Sequence, residues 1–325
     1  MIDPGFAPAD RVFQVGARGI GITVLALTGS IGLFLGYQAF LTLRRYGLSY
    51  LTSSVFDPER NMVGILSAII GTIEVAVIAL AVGFPLALMT ALYISEYAPR
   101  WARSALISVI DLMAAVPSII YGVWGRDLLQ QHLLLVARWL AEWFSWVPFG
   151  IFTVPGSDPR APGLPGTGGG AYETSYFAAG IVVAMMVIPI ACAVMRNVFS
   201  QAPAGEREAA LALGSTRWGM IRAVVLPFGR GGIIAGTMLG LGRALGETVA
   251  VLLILSIDFG VKVHILEKGG VTISSLIAND FGEATGAQLS ALLAAGFVLF
   301  VMTLAVNTMA GRIVSRSRSG AGIDA

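Results

Sequence analysis

Apolar residues run through this chain in long unbroken stretches, unlike the alternation of a strand or the one-sided stripe of a surface helix. Six stretches are long enough to cross a bilayer as helices: 20–43, 64–93, 104–124, 176–196, 231–257 and 287–311. The pattern predicts an all-α, multi-pass membrane protein. Its spanning domain covers 20–311, flanked by short segments 1–19 and 312–325. The longest interval between spans is 125–175. Its first part, 128–152, mixes apolar residues with Gln130, Gln131, His132, Arg138 and Glu142, and carries Trp139, Trp143 and Trp146. That mixture predicts an amphipathic segment lying on the membrane surface, its Trp at headgroup level; a seventh span is the rival reading, against which Gln130, Gln131, Arg138 and Glu142 count. The part 155–170 is rich in Pro and Gly and predicts irregular chain.

Composition strengthens this picture. The 325 residues are 56% hydrophobic and 12% charged, with mean hydropathy +0.80. With both termini placed inside, the cytoplasmic segments, with Arg196 at the inner end of span four included, hold twelve Lys/Arg and the outer loops eight, which predicts cytoplasmic termini. The first span reads as an anchor, because its apolar run is too long for a cleaved signal and no A-x-A-like site follows. The single cysteine, Cys192, lies inside span four, so an intrachain disulfide is excluded. A net charge of +2 gives nucleic acid no purchase.

Charges inside spans are costly and mark pathways or pairs. Glu74, Asp111, Arg243 and Glu247 are the four such residues. Arg243 and Glu247 are four apart, which places them on one face of a continuous helix. Two readings stand: Arg243 holds an anion in transit with Glu247 beside it, or the two form a self-satisfied ion pair. Glu74 reads as a second pathway group or as a hydrogen-bonded carboxyl, and Asp111 as a local structural group. Gly232, Gly236 and Gly240 recur at four-residue spacing, which lets another helix approach closely. Pro85, Pro117 and Pro189 fall inside spans two, three and four and predict kinks there.

The cationic loop 197–230 reads as two short helices joined at a glycine. Pro203 starts the first, whose opening turn contains Glu206 and Glu208. Gly214 suits the left-handed position that ends it, and Ser215 or Thr216 then caps a second helix through Trp218, Ile221 and Val225. Pro227 is expected to limit that second helix. A small-residue helix with an aromatic neighbour fits a groove on another protein.

No Gly-x-x-x-x-Gly-Lys-Ser/Thr occurs, so an ATP site, if one drives the protein, belongs to a partner. His132 and His264 lie far apart in the chain and read as surface residues, and no metal cluster is visible. No Gly-x-Ser-x-Gly occurs either.

The spacing Glu208-Ala209-Ala210, Gly214, then Val224-x-Leu226-Pro227 resembles the EAA loop of ABC importer permeases, with Val224 where isoleucine is usual. The stretches Ala115-Val-Pro-Ser-Ile-Ile-Tyr-Gly-Val-Trp-Gly125, Met195-Arg-Asn-Val-Phe199 and Gly240-Leu-Gly-Arg-Ala-Leu-Gly-Glu-Thr-Val-Ala250 are similar to the PstC-type permeases of phosphate importers. The resemblance covers most of 64–310. It implies a type I ABC importer architecture in a bacterial inner membrane. It also implies a PstA-like second permease, a PstB-like ATPase dimer that binds ATP and magnesium, and a PstS-like phosphate-binding protein. In that family the EAA loop docks on the ATPases, and residues matching Arg243 and Glu247 are implicated in moving phosphate. This chain itself would need no cofactor. Another oxyanion, such as sulfate or molybdate, is the nearest rival cargo. A proton-driven secondary transporter using Glu74, Arg243 and Glu247 is the rival from another class, and it leaves the 203–227 loop without a purpose.

Overall fold

The structure is a computed structural model that describes residues 8–57, 60, 62–159 and 170–318. Much of the Pro/Gly-rich stretch 155–170, and the extreme ends of both terminal segments, lie outside the described residues. Thirteen helices are described: α1 Pro8–Tyr46, α2 Ser49–Thr52, α3 Leu66–Leu92, α4 Arg100–Ala115, α5 Ser118–Trp124, α6 Gln130–Trp143, α7 Tyr176–Phe199, α8 Ala204–Ala212, α9 Arg217–Met220, α10 Leu226–Gly246, α11 Val249–Ile254, α12 Ile273–Asp280 and α13 Gly286–Arg318. A two-residue ribbon, β1 Phe56–Asp57 paired with β2 Met62–Val63, is the only sheet described. Among the described residues five helical runs are long and apolar enough to span, and a bent pair brings the number to six if it is counted as one span.

The centre of the bundle is α7, packed between α3 and α10. Lipid gives apolar side chains no reason to leave it for one another, so close backbone approach must hold such helices together. The glycines of α10 provide it. A Cβ built on Gly232 would lie 2.5 Å from Val198, one on Gly236 would lie 2.9 Å from the Ala191 carbonyl, and one on Gly240 would lie 2.5 Å from Val187. On the other side of α7, a Cβ at Gly180 would lie 2.5 Å from Ile78 of α3. Val75, Ala79, Val183, Val187, Ala191 and Cys192 fill the core between these helices. Outside this core, α1 leans on α13 through Gly32 and Gly36, which face Phe300 and Phe297.

Two expected spans are broken. The stretch 104–124 is not one kinked helix. α4 ends at Ala115, Val116 and Pro117 are extended, and the helix that restarts at Ser118 runs to Trp143 at 90° to α4. Pro117 therefore caps a new helix rather than bending an old one. Its ring disfavours the helical region for Val116, which here is extended at φ −65°, ψ 128°. Tyr121 braces the corner, donating from its hydroxyl to the Met113 carbonyl at 3.0 Å. The expected surface segment 128–152 is thereby mostly a continuation of α5 through a π-turn at Gly125–Leu129 into α6. Span five is likewise not continuous over 231–257: α10 stops at Gly246, Glu247 is extended at φ −68°, ψ 127°, and α11 restarts at Val249.

The prolines Pro85 and Pro189 lie inside unbroken α3 and α7. Pro227 does not limit the second loop helix, contrary to expectation. A π-turn at Ile221–Val225, closed by the Leu226 amide on the Ile221 carbonyl, carries α9 directly into α10. The wider turn sets the helix register so that the missing N–H of Pro227 and its ring fall at the second position of α10, where a proline is tolerated. Arg217–Gly246 is thus one helical run of 30 residues.

At the end of α7 opposite α8, loops knit into a cap. Ile265 N–H donates to the Ile151 carbonyl at 3.1 Å, Lys268 N–H to Ala171 at 2.9 Å and Gly269 N–H to Thr174 at 3.2 Å. His264, expected on the surface, is half-buried with Nδ1 2.7 Å from the Gly150 carbonyl, so it pins two of these loops together. Lys262 is buried in the cap. Its ammonium stands 2.8 Å from Asp258 and 3.2 Å from Glu267, and it also donates to the Lys268 carbonyl.

Candidate functional site

The two helix breaks meet. α5 and α11 pack on each other so closely that a Cβ on Gly122 would lie 2.9 Å from Ala250. Their first residues, Ser118 and Val249, therefore face a common space. That space is a cavity of about 420 Å³ lined by Ser118, Gly242, Arg243, Gly246, Glu247, Thr248 and Val249. The positive ends of two helices border it, which suits an anion.

Arg243 and Glu247 both reach this cavity, but not as one helical face. Because α10 ends before Glu247, the four-residue spacing no longer stacks the side chains, and no ion pair joins them. Glu247 is buried at 8% exposure and turns back on the next helix. Its Oε1 accepts from the Ala250 amide at 3.3 Å, which satisfies one of the amides that every helix start leaves open. Its carbonyl accepts from Ser274 Oγ at 2.6 Å, tying the break to α12. α12 is itself fixed by a capping box between Thr272 and Ser275, and by Thr72 Oγ1 of α3, which accepts from the Ile273 amide at 3.0 Å.

Arg243 is half-buried, and among the described residues it makes no ion pair and no hydrogen bond; its Nε is buried without a partner. It also borders a second cavity of about 380 Å³, with Ile190, Met238, Leu239, Gly242, Thr303 and Asn307. Thr303 and Asn307 come from α13, which sequence reasoning treated as plain apolar span. Their polarity within an apolar stretch was the signal available. Glu74 lines neither cavity; it sits on α3, and its Oε2 is buried without a hydrogen-bond partner. Asp111 lies 3.9 Å from Arg196 of α7.

The loop 197–230 forms the second part of the site. Pro203 caps α8, and the helix ends in a Schellman closure: the Ser215 amide reaches the Ala210 carbonyl at 3.2 Å and the Gly214 amide reaches Leu211 at 2.9 Å. Gly214 stands at φ 85°, where a side chain would be strained. Thr216 Oγ1 then accepts from the Gly219 amide at 3.1 Å and starts α9. Glu206, Glu208, Ala209, Leu211 and Leu213 face solvent, Leu213 at 89% exposure, and Trp218 stands out beside them. Arg207 turns the other way. It meets Glu96 of the turn after α3, with Nη1 3.3 Å from Oε1. This pair joins residues 111 apart in sequence, and no local pattern announces it.

A family model described as binding-protein-dependent transport system inner membrane component matches residues 83–319. Among curated proteins, the chain is 35% identical over 311 residues to a phosphate transport system permease protein PstC of Pasteurella multocida, covering 94% of this chain and 92% of that one. It is 38% identical over 319 residues to PstC 2 of Mycobacterium bovis, covering 96% and 93%. It is 38% identical over 311 residues to PstC of Xylella fastidiosa, covering 95% and 92%. Among solved structures, it resembles a chain of a bacterial alginate ABC transporter in complex with a periplasmic protein bound to alginate pentasaccharide. The TM-score is 0.56 at 19% identity, covering 95% of this chain and 96% of that one. At that identity the likeness speaks to the fold alone.

Proposed function

This chain belongs to the binding-protein-dependent transport system inner membrane components, and from that membership we infer that it is the membrane-spanning permease of an ATP-driven phosphate importer. Its fold is the all-α permease fold of type I ABC importers. The observation that carries the cargo is its likeness, over nearly its whole length, to phosphate permeases. The chemistry of the cavity supports it. A guanidinium without a hydrogen-bond partner among the described residues offers planar, fixed donors to phosphate oxygens. Phosphate at neutral pH still carries a proton, and the Glu247 carboxylate beside it can accept that proton's hydrogen bond, which sulfate cannot offer. Ser118 and Thr248 add hydroxyls to the same wall.

The chain holds no ATP site of its own in this reading. A PstA-like permease completes the path, and a PstB-like ATPase dimer with ATP and magnesium docks on Glu208, Ala209, Ala210 and the turn at Gly214. Leu226 and Pro227 carry the docked loop into α10. A PstS-like protein delivers phosphate from outside, and both termini lie in the cytoplasm.

The test is radiolabelled phosphate uptake into proteoliposomes holding this chain with its co-purified partners. Binding protein is supplied outside and ATP inside, with excess sulfate as competitor. ATP-dependent uptake that sulfate does not suppress is expected. Sulfate uptake in its place would discard the cargo, and uptake driven by a proton gradient without ATP would discard the class.

A further inference from the structure

Only two residues of α8, Arg207 and Ala210, are turned toward the bundle; the rest of the helix is exposed. A single methyl gives little apolar grip, so the hold of α8 on the spans depends on Arg207. Its Nη1 lies 3.3 Å from Glu96 Oε1 and donates to Oε2 at 3.4 Å, while Nη2 donates to the Phe199 carbonyl at the end of α7. Glu96 lies in the π-turn Tyr93–Tyr97 that closes α3. Its Oε1 also accepts from Ser95 Oγ at 2.6 Å, and the Ser95 carbonyl accepts from Arg103 of α4 at 2.9 Å. One guanidinium thus reaches the ends of α3 and α7 and, through the Ser95 backbone, the start of α4.

We propose that Arg207 and Glu96 are the positioning pair that carries displacement of the docked loop into α3, α4 and α7. The proposal rests on the importer reading above and says where its coupling passes. Exposed ion pairs hold little, because water and salt screen them. This one is largely out of water: the Glu96 side chain is 5% exposed and the Arg207 side chain 21%. Separating such charges leaves each without its partner in a poorly solvated place, so the pair resists being pulled apart. The neighbouring Glu208 faces solvent. Adjacent residues of one helix therefore divide the task, one facing the ATPase and the other the spans.

The experiment measures phosphate moved per ATP hydrolysed in proteoliposomes of the whole complex. It compares the natural chain with Arg207→Lys, Glu96→Gln and the two together. Each replacement keeps size and hydrogen-bonding groups while loosening the paired geometry. Each single change is expected to lower the ratio about tenfold, while the ATPase subunits still co-purify. Because both residues act on one link, the double change is expected to fall no further than the worse single. A ratio unchanged in both singles would overturn the proposal, and so would a double that falls as the product of the two. Loss of ATPase co-purification at an unchanged ratio would also overturn it, leaving the pair a purely structural role. If the natural complex hydrolyses ATP but moves no phosphate, the cargo assignment fails instead. The pair is then judged by binding-protein stimulation of ATP hydrolysis, which the substitutions are expected to lower about tenfold and which, unchanged, overturns the proposal.

Discussion

Two cations of this chain sit in opposite circumstances. Lys262, in the cap, is buried and surrounded by Asp258, Glu267 and the Lys268 carbonyl. Arg243, where two helix breaks meet, borders two cavities and has no partner among the described residues. The protein shows at Lys262 that it can surround a cation with acceptors. The bare guanidinium at Arg243 is a different arrangement, open to the anion that the proposed function would bring to it. The first charge is enclosed by its own chain, and the second is left open to a cavity.

Substitutions can test that contrast, beginning with the strongest. Arg243→Ala is expected to lower phosphate uptake about a hundredfold or more while the complex still assembles, since the one cationic donor among the described residues lining the cavity is gone. Normal uptake by this variant would end the distinction. Ser118→Asp gives Arg243 a resident acceptor; at the first position of α5 a carboxylate favours the helix, so folding should survive. Uptake is expected to fall about tenfold through repulsion of the anion, and undiminished uptake would mean that Ser118 does not face the path. Lys262→Met should act the other way round. It leaves two carboxylates without their cation and is expected to lower the melting temperature by about 5 °C, with uptake per folded complex unchanged.

The smallest effect is in acid. The Lys262 hydrogen bond, helped by the Gly260 amide, holds the Asp258 carboxyl below its ordinary value of 3.8. A lowered value stabilises the fold fully above the unfolded value and loses that effect as pH falls through the folded one. Asp258→Asn should therefore flatten the melting temperature against pH only below about pH 4. With 47% of the Asp258 side chain exposed, the difference is expected to stay under about 1 kcal/mol. Curves that coincide in acid would show that Asp258 adds nothing to the cap.

Much of this was legible in the sequence. Spans two, four and six appear as α3, α7 and α13 because hydropathy alone sets them. The loop 203–216 folds as its residues dictate, since Gly214 and Thr216 act locally. The breaks at Pro117 and Glu247 were not legible, because apolar content is summed without regard to direction and both sides of each break are equally apolar. That error carried over to the site. The spacing of Arg243 and Glu247 implies a pair only on a continuous helix, so arithmetic placed face to face two groups that the chain instead lays around a cavity. The half-buried Arg207 and its distant partner Glu96 belong to tertiary structure, beyond any local pattern.

The glycine seam between α7 and α10 has a mechanical consequence. Where Gly232, Gly236 and Gly240 meet Val198, Ala191 and Val187, there is no room for even one added carbon. Any sliding along the seam would drive those valines into backbone. The two helices are in effect welded, and whatever opens and shuts in this molecule must swing about other joints. The helix breaks at Val116–Pro117 and at Glu247, where the backbone is extended, are free of that seam, and each is followed by residues that line the cavity beside Arg243.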